Sequence, residues 1–165
     1  MQYLFQSAFL GFTQGVAPII SFNYGANKHD RLKSVIKLSL IINLVMGILI
    51  YIVTVISANF LVGMYLEAGS EAFELTKVGL LLFGISFRPQ GINIFASGMF
   101  TALSNGKISA FISFFRTLFL IVIFVLVFPK IIGINGIWLS VPFAEIGSIL
   151  ISLVCIFKFR KRYKY

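Results

Sequence analysis

Apolar residues run almost without interruption through positions 4–26, 35–65, 78–103, 108–128 and 137–157, and short polar connections separate these stretches. Crossing about 30 Å of hydrocarbon at 1.5 Å per residue takes roughly twenty helical residues, so each stretch is predicted to be a membrane-spanning helix. A membrane β-barrel would instead show alternating ten-residue segments, a pattern this chain lacks. Inside the spans the polar and small residues recur at steps of three or four, which places them on one face of each helix. The third span carries Ser86, Gln90, Asn93, Ser97, Thr101 and Ser104 in this way, and the first carries Gly11, Gln14, Pro18, Ser21 and Gly25. Asn43, Gly47, Tyr51 and Thr54 mark the second, Ser109, Ser113 and Arg116 the fourth, and Trp138, Pro142, Glu145, Ser148 and Ser152 the fifth. The expected fold is all-α, a polytopic bundle of five transmembrane helices over residues 1–157 whose interior is more polar than its lipid face.

A polar interior serves either close packing or a wet cavity. Small and hydroxyl residues let membrane helices approach one another, so Ser7, Gly11 and Gly15 read as packing steps. Amides and carboxylates need a stronger reason to enter hydrocarbon, so Gln14, Gln90, Asn93 and Glu145 read as cavity residues. Pro18, Pro89 and Pro142 interrupt spans and free the carbonyls of Gln14, Ile85 and Trp138. Helix shaping and pathway lining account for these prolines equally well.

Composition agrees with a membrane protein, at 59% hydrophobic and 12% charged residues. The net charge of +9 does not point to nucleic acid, because the cations sit at span ends and in a terminal run rather than in a groove interleaved with aromatics. Lys28, Arg31, Lys33 and Lys37 crowd the first connection, Lys107 the third and the run 158–164 the end, whereas Glu67, Glu71 and Glu74 occupy the second. The positive-inside rule then sets the amino terminus outside and a basic tail, 158–165, in the cytoplasm. Cys155 stands alone and reads as a small buried residue. The chain has no GxxxxGK[ST] loop and no connection long enough for a nucleotide-binding domain, so uphill transport would need an ion gradient or a separate subunit. No cofactor is implied, and no His, Cys or carboxylate constellation within the spans suggests an enzyme. Glu145 is the sole carboxylate within a span, and Arg88 and Arg116 lie within spans too. An acid in that setting serves proton coupling or an ion pair, with Arg88 at a similar depth and Arg116 as the second candidate partner.

Several stretches together carry a family likeness: 15–26 (GVAPIISFNYGA) with its basic turn, 87–107 (FRPQGINIFASGMFTALSNGK), Arg116, and 133–138 (GINGIW) through Pro142 and Glu145. In order and spacing they resemble the last five helices of the multidrug and toxic compound extrusion (MATE) transporters, closest to the bacterial MepA-like branch. The resemblance implies part of one six-helix lobe of a twelve-helix transporter that exports amphipathic organic compounds by alternating access, in exchange for protons or sodium ions. It implies as partners a lipid bilayer of the bacterial cytoplasmic membrane, small organic substrates, a coupling cation, and an amino-terminal lobe and seventh helix that this chain lacks. The chain is accordingly expected to be a fragment or truncated reading frame. Gln14, Gln90 and Asn93 are the expected cavity lining. The tenth helix of some members holds a cation-binding carboxylate, and the matching span here has none, so no sodium site is carried over. A flippase for lipid-linked precursors and an inactive truncated membrane subunit are the alternative readings.

Overall fold

The computed structural model describes residues 2–165, and these are helical apart from short turns. In chain order the helices are α1 (Gln2–Gly25), α2 (His29–Gly63), α3 (Glu71–Gly84), α4 (Phe87–Ala102), α5 (Gly106–Phe114), α6 (Leu120–Ile132) and α7 (Ile134–Tyr163), with a single π-helical segment, Phe115–Phe119, joining α5 to α6. Local chemistry marks most boundaries. The Ser70 hydroxyl accepts from the Phe73 N–H (3.1 Å), and Glu71 and Glu74 stand in the first turn of α3, where carboxylates meet the positive end of the helix dipole. Asn105 caps α5 by accepting from the Ile108 N–H (3.3 Å). Gly133, at φ 68°, turns the chain sharply between α6 and α7. That conformation suits a residue without Cβ.

The third expected span is broken. Helices α3 and α4 meet at an angle of 44° across Ile85 and Ser86. Pro89 falls in the first turn of α4, where an N–H would have no intrahelical partner anyway, so it sets the bend without costing a bond inside the helix. The fourth span extends from Gly106 to Ile132 through the π segment. The basic run expected as a separate tail is the last part of α7, which continues to Tyr163. Tyr163 and Tyr165 are buried there: Tyr163 accepts from the Asn105 side chain (2.7 Å), and the Tyr165 hydroxyl donates to the Ile156 carbonyl (2.9 Å). Burial, reinforced by neighbouring Tyr163, pushes the Tyr165 hydroxyl pKa well up, so it stays a donor across physiological pH.

Helix α4 is the hub, packed by α1, α2, α5 and α7, while α3 lies against α2 and α7, and α6 lies along α7. Glycines make these approaches close. A Cβ on Gly91 would stand 2.6 Å from the Phe9 ring, one on Gly98 would collide with Thr13, and one on Gly47 would stand 2.6 Å from the Phe87 carbonyl oxygen. Bilayer lipid is as apolar as leucine, so such packing and buried hydrogen bonds, rather than hydrophobic burial alone, hold membrane helices together. Gly11 and Gly15 take no such part: a Cβ on either meets nothing within 4 Å, and the α1 face they share with Ser7 and Gln14 is open.

Outward faces of α2 and α6 are strongly apolar, with Ile48, Ile52, Ile56, Phe60, Val122 and Leu126 exposed. Among the described residues three helices are long and apolar enough to span a membrane (α2, Gly106–Ile132 and α7), and four if α3 and α4 form one broken span. The expectation was five. Helix α1 has the length, at 24 residues, but Gln6, Ser7, Thr13, Gln14, Ser21 and Asn23 dilute its apolar character.

Candidate functional site

Two layers of polar side chains meet where α4 faces α1 on one side and α5, the π segment and α7 on the other. The inner layer is an ion pair. The Arg116 Nε donates to both oxygens of Glu145, at 2.9 and 3.2 Å, with side chains only 11% and 4% exposed. Asn93 fixes the carboxylate from α4. Its Nδ2 donates to Glu145 Oε2 (2.7 Å) and to the Glu145 main-chain oxygen (2.9 Å), and its Oδ1 accepts from the Ser152 hydroxyl (2.9 Å). Each polar atom of Asn93 and Glu145 thereby has a partner, which is the condition for keeping a charged pair in a low-dielectric interior.

The outer layer is an open depression of about 290 Å³ between α1, α4 and the α5–π helix. Gln14 and Thr13 supply one wall, Ser97 and Thr101 the floor, and Ser113 and Arg116 the other wall. Its hydroxyls are linked: Thr101 donates to Ser109 (2.7 Å), and Ser97 is hydrogen-bonded to Ser109 (2.9 Å) and to Ser113 (2.7 Å). Thr13 is buried at its edge with no partner for its hydroxyl oxygen. Arg116 belongs to both layers, since it lines the depression and grips the buried carboxylate behind it. Chemically, the site presents neutral hydrogen-bonding groups, one guanidinium and the apolar side chains of Leu10, Ala17 and Ile94 to the open side. The sole acid is held one residue deeper.

Three α-helical stripes found in the sequence converge here: Asn93, Ser97 and Thr101 from α4, Ser109, Ser113 and Arg116 from the next span, and Glu145 and Ser152 from α7. Gln14 lines the depression. Gln90 does not reach it; its side chain is 2% exposed, with an amide oxygen that has no partner. Arg88 does not pair with Glu145. Five residues along a helix turn the chain by about 140°, so Arg88 points away from Asn93, and its guanidinium stands 4.2 Å over the Tyr51 ring. Pro89 does not reverse that direction, because it bends the helix rather than twisting it. Two features escaped the sequence reading. The π segment has no proline or glycine to announce it, and Thr13 lies off the polar stripe of α1. Single π turns inside α-helices are frequent at functional sites, and this one contains Arg116.

Comparison with known proteins accords with this architecture. The family model MatE matches residues 2–127. The chain belongs to the MatE family. As a MatE chain it is 27% identical over 165 residues to the multidrug export protein MepA of Staphylococcus aureus (strain NCTC 8325 / PS 47), an alignment that takes in 93% of this chain and 33% of MepA. In structure it is similar to the Vibrio cholerae MATE transporter VcmN in its bent form, with a TM-score of 0.88 at 19% identity over 98% of this chain and 36% of that one. It is also similar to an inward-facing multidrug resistance MATE family transporter of the MOP superfamily, with a TM-score of 0.84 at 19% identity over 98% of this chain and 37% of the other. This MatE chain thus spans about a third of the length of the relatives it matches.

Proposed function

We propose that the chain forms part of a lobe of a multidrug efflux antiporter that exports amphipathic organic compounds in exchange for protons or sodium ions by alternating access. The observation that carries this reading is a single buried carboxylate, Glu145, clamped by Arg116 and Asn93 immediately behind an open depression of mixed polar and apolar lining. Membership of the MatE family and the likeness to a multidrug export protein support the same reading. In it, Gln14 and the hydroxyls of Ser97, Thr101 and Ser113 meet the substrate, and Asn93 positions Glu145. Glu145 carries the coupling proton. When it is protonated, its hold on Arg116 weakens, and the guanidinium is free to swing into the depression and alter its charge. A cation entering the depression would compete with Arg116 for the same carboxylate.

The charge distribution supports an orientation. Lys28, Arg31, Lys33, Lys37, Lys107 and the 158–164 run gather at one end of the bundle, where the ends of α1, α4 and α7 meet, and Glu67, Glu71 and Glu74 lie in the connection between α2 and α3. By the positive-inside rule the basic end faces the cytoplasm of a bacterial cell and the amino terminus faces out. The open face of α1, with Ser7, Gly11, Gln14 and Gly15, is then where an amino-terminal lobe and a seventh helix would close the pathway.

The test is export of a fluorescent cationic dye from cells stripped of their own pumps. One strain expresses this chain alone, and another expresses it fused behind the region of MepA that precedes the matched segment. Export by the fusion but not by the chain alone is the expected result. Export by neither, with both in the membrane, overturns the reading.

A further inference from the structure

Helices α2 and α7 both pack on α4, and between them a seam runs along the outside of the bundle. At the basic end it opens into a groove of about 240 Å³ walled by Lys33, Ile36, Lys37 and Leu40 of α2 and by Ile156, Phe157 and Arg160 of α7, with Tyr165 beside them. Farther along the same helices lies a second groove, of about 280 Å³, walled by Leu44, Ile146 and Ile149 and floored by Ile85, Pro89 and Ile92. The two are in register, because 33, 36, 37, 40 and 44 are successive positions on one face of α2 while 160, 156, 149 and 146 run back along α7.

Charge and length together define an occupant. Three cations and no acidic side chain line the mouth, Arg160 also donating through Nε to the main-chain oxygen of Tyr165 (3.0 Å), and every other side chain there is apolar or aromatic. The deeper groove is apolar except for Arg88 at its end, whose guanidinium is covered by the Tyr51 ring. Along α7 the apolar length from Ile156 to Ile146 is about 15 Å at 1.5 Å per residue, close to the roughly 15 Å of one leaflet of hydrocarbon. An inorganic anion would use the mouth and leave the apolar length empty, and a zwitterionic lipid would leave Lys33 and Lys37 unneutralised. We propose that the α2–α7 seam is a binding site for an anionic phospholipid, its phosphate between Lys33, Lys37 and Arg160 and one acyl chain laid along Leu40, Leu44, Ile149 and Ile146. This inference needs only residence in a membrane, so it stands or falls separately from any transport activity. Basic pockets between helices at a membrane surface are suited to anionic headgroups for the same electrostatic reason.

Native mass spectrometry of the full chain released from micelles tests it, with phosphatidylglycerol and phosphatidylcholine of identical acyl chains as probes and glycerol 3-phosphate as soluble competitor. Phosphatidylglycerol should be retained at least about tenfold better than phosphatidylcholine. The preference should vanish in the Lys33→Gln, Lys37→Gln, Arg160→Gln triple variant. It should survive in Lys107→Gln, Lys161→Gln, Lys164→Gln, which removes equal charge from the same end. Ile149→Trp, which fills the apolar seam and spares the cations, should weaken retention of the lipid. Equal retention of both lipids, equal loss in the control triple variant, or displacement by glycerol 3-phosphate as effective as by lipid overturns the proposal.

Discussion

Replacing Arg116 with methionine should cost the fold far more than replacing Glu145 with glutamine, although both break the same 2.9 Å ion pair. Removing the arginine leaves a carboxylate 4% exposed, with Asn93 as its remaining side-chain donor. An uncompensated buried charge of that kind costs about 3–5 kcal/mol. Removing the charge from Glu145 leaves Arg116 on the wall of the depression, where its guanidinium can turn toward water, and a cost of about 1–2 kcal/mol is expected. The double variant Arg116→Met, Glu145→Gln loses the pair without stranding either charge and should be within about 1 kcal/mol of the parent. A coupling energy of about 5 kcal/mol follows from the midpoints of that cycle. Titration with sodium dodecyl sulfate in mixed micelles, followed by far-ultraviolet circular dichroism, gives the four stabilities. Equal costs for the two single changes, or a cost under about 1 kcal/mol for Arg116→Met, would refute the buried-carboxylate argument.

The same assay checks three further expectations. Gly47→Ala should destabilise by about 1–3 kcal/mol, since its Cβ would press on the Phe87 carbonyl, whereas Gly15→Ala, facing open space, should be neutral or slightly stabilising. Asn93→Ala should cost about 2–4 kcal/mol by unpairing the Ser152 hydroxyl, leaving Glu145 Oε2 with only its 3.2 Å contact to Arg116, and opening a cavity. Gly133→Ala, at φ 68° and ψ −146°, should cost about 1–3 kcal/mol; a value near zero would mean the α6–α7 turn adopts another conformation.

Much of this fold is legible in the sequence because membrane insertion imposes two loud signals, apolar runs of fixed length and polar residues on a helical period. The stripe through Asn93, Ser97 and Thr101 marks the face of α4 that meets its polar neighbours and lines the depression, though not that the apolar side, with Phe95, Met99 and Phe100, is buried more deeply, and Glu145 stands out as the lone acid in a span. Partner choice is less legible. Arg88 and Arg116 look alike as candidates until the helices have neighbours, and only tertiary packing sends one to Tyr51 and the other to Glu145. The bend at Ile85 and Ser86 is half-announced by Pro89. The π segment is silent, since one extra residue per turn among Phe115, Arg116 and Thr117 leaves no composition signal. Gly11 and Gly15 illustrate the opposite error. Small-residue spacing marks a face that can pack closely, but it does not say that a helix of this chain is the partner.

The central claim is that Glu145 couples an ion gradient to export. It is tested most directly by dye efflux driven by an imposed pH gradient in vesicles containing the fused two-lobe transporter, with Glu145 intact or changed to glutamine. Glu145→Gln should abolish gradient-driven efflux while the protein remains at normal abundance in the membrane and still binds dye. Undiminished efflux from the glutamine variant would contradict it.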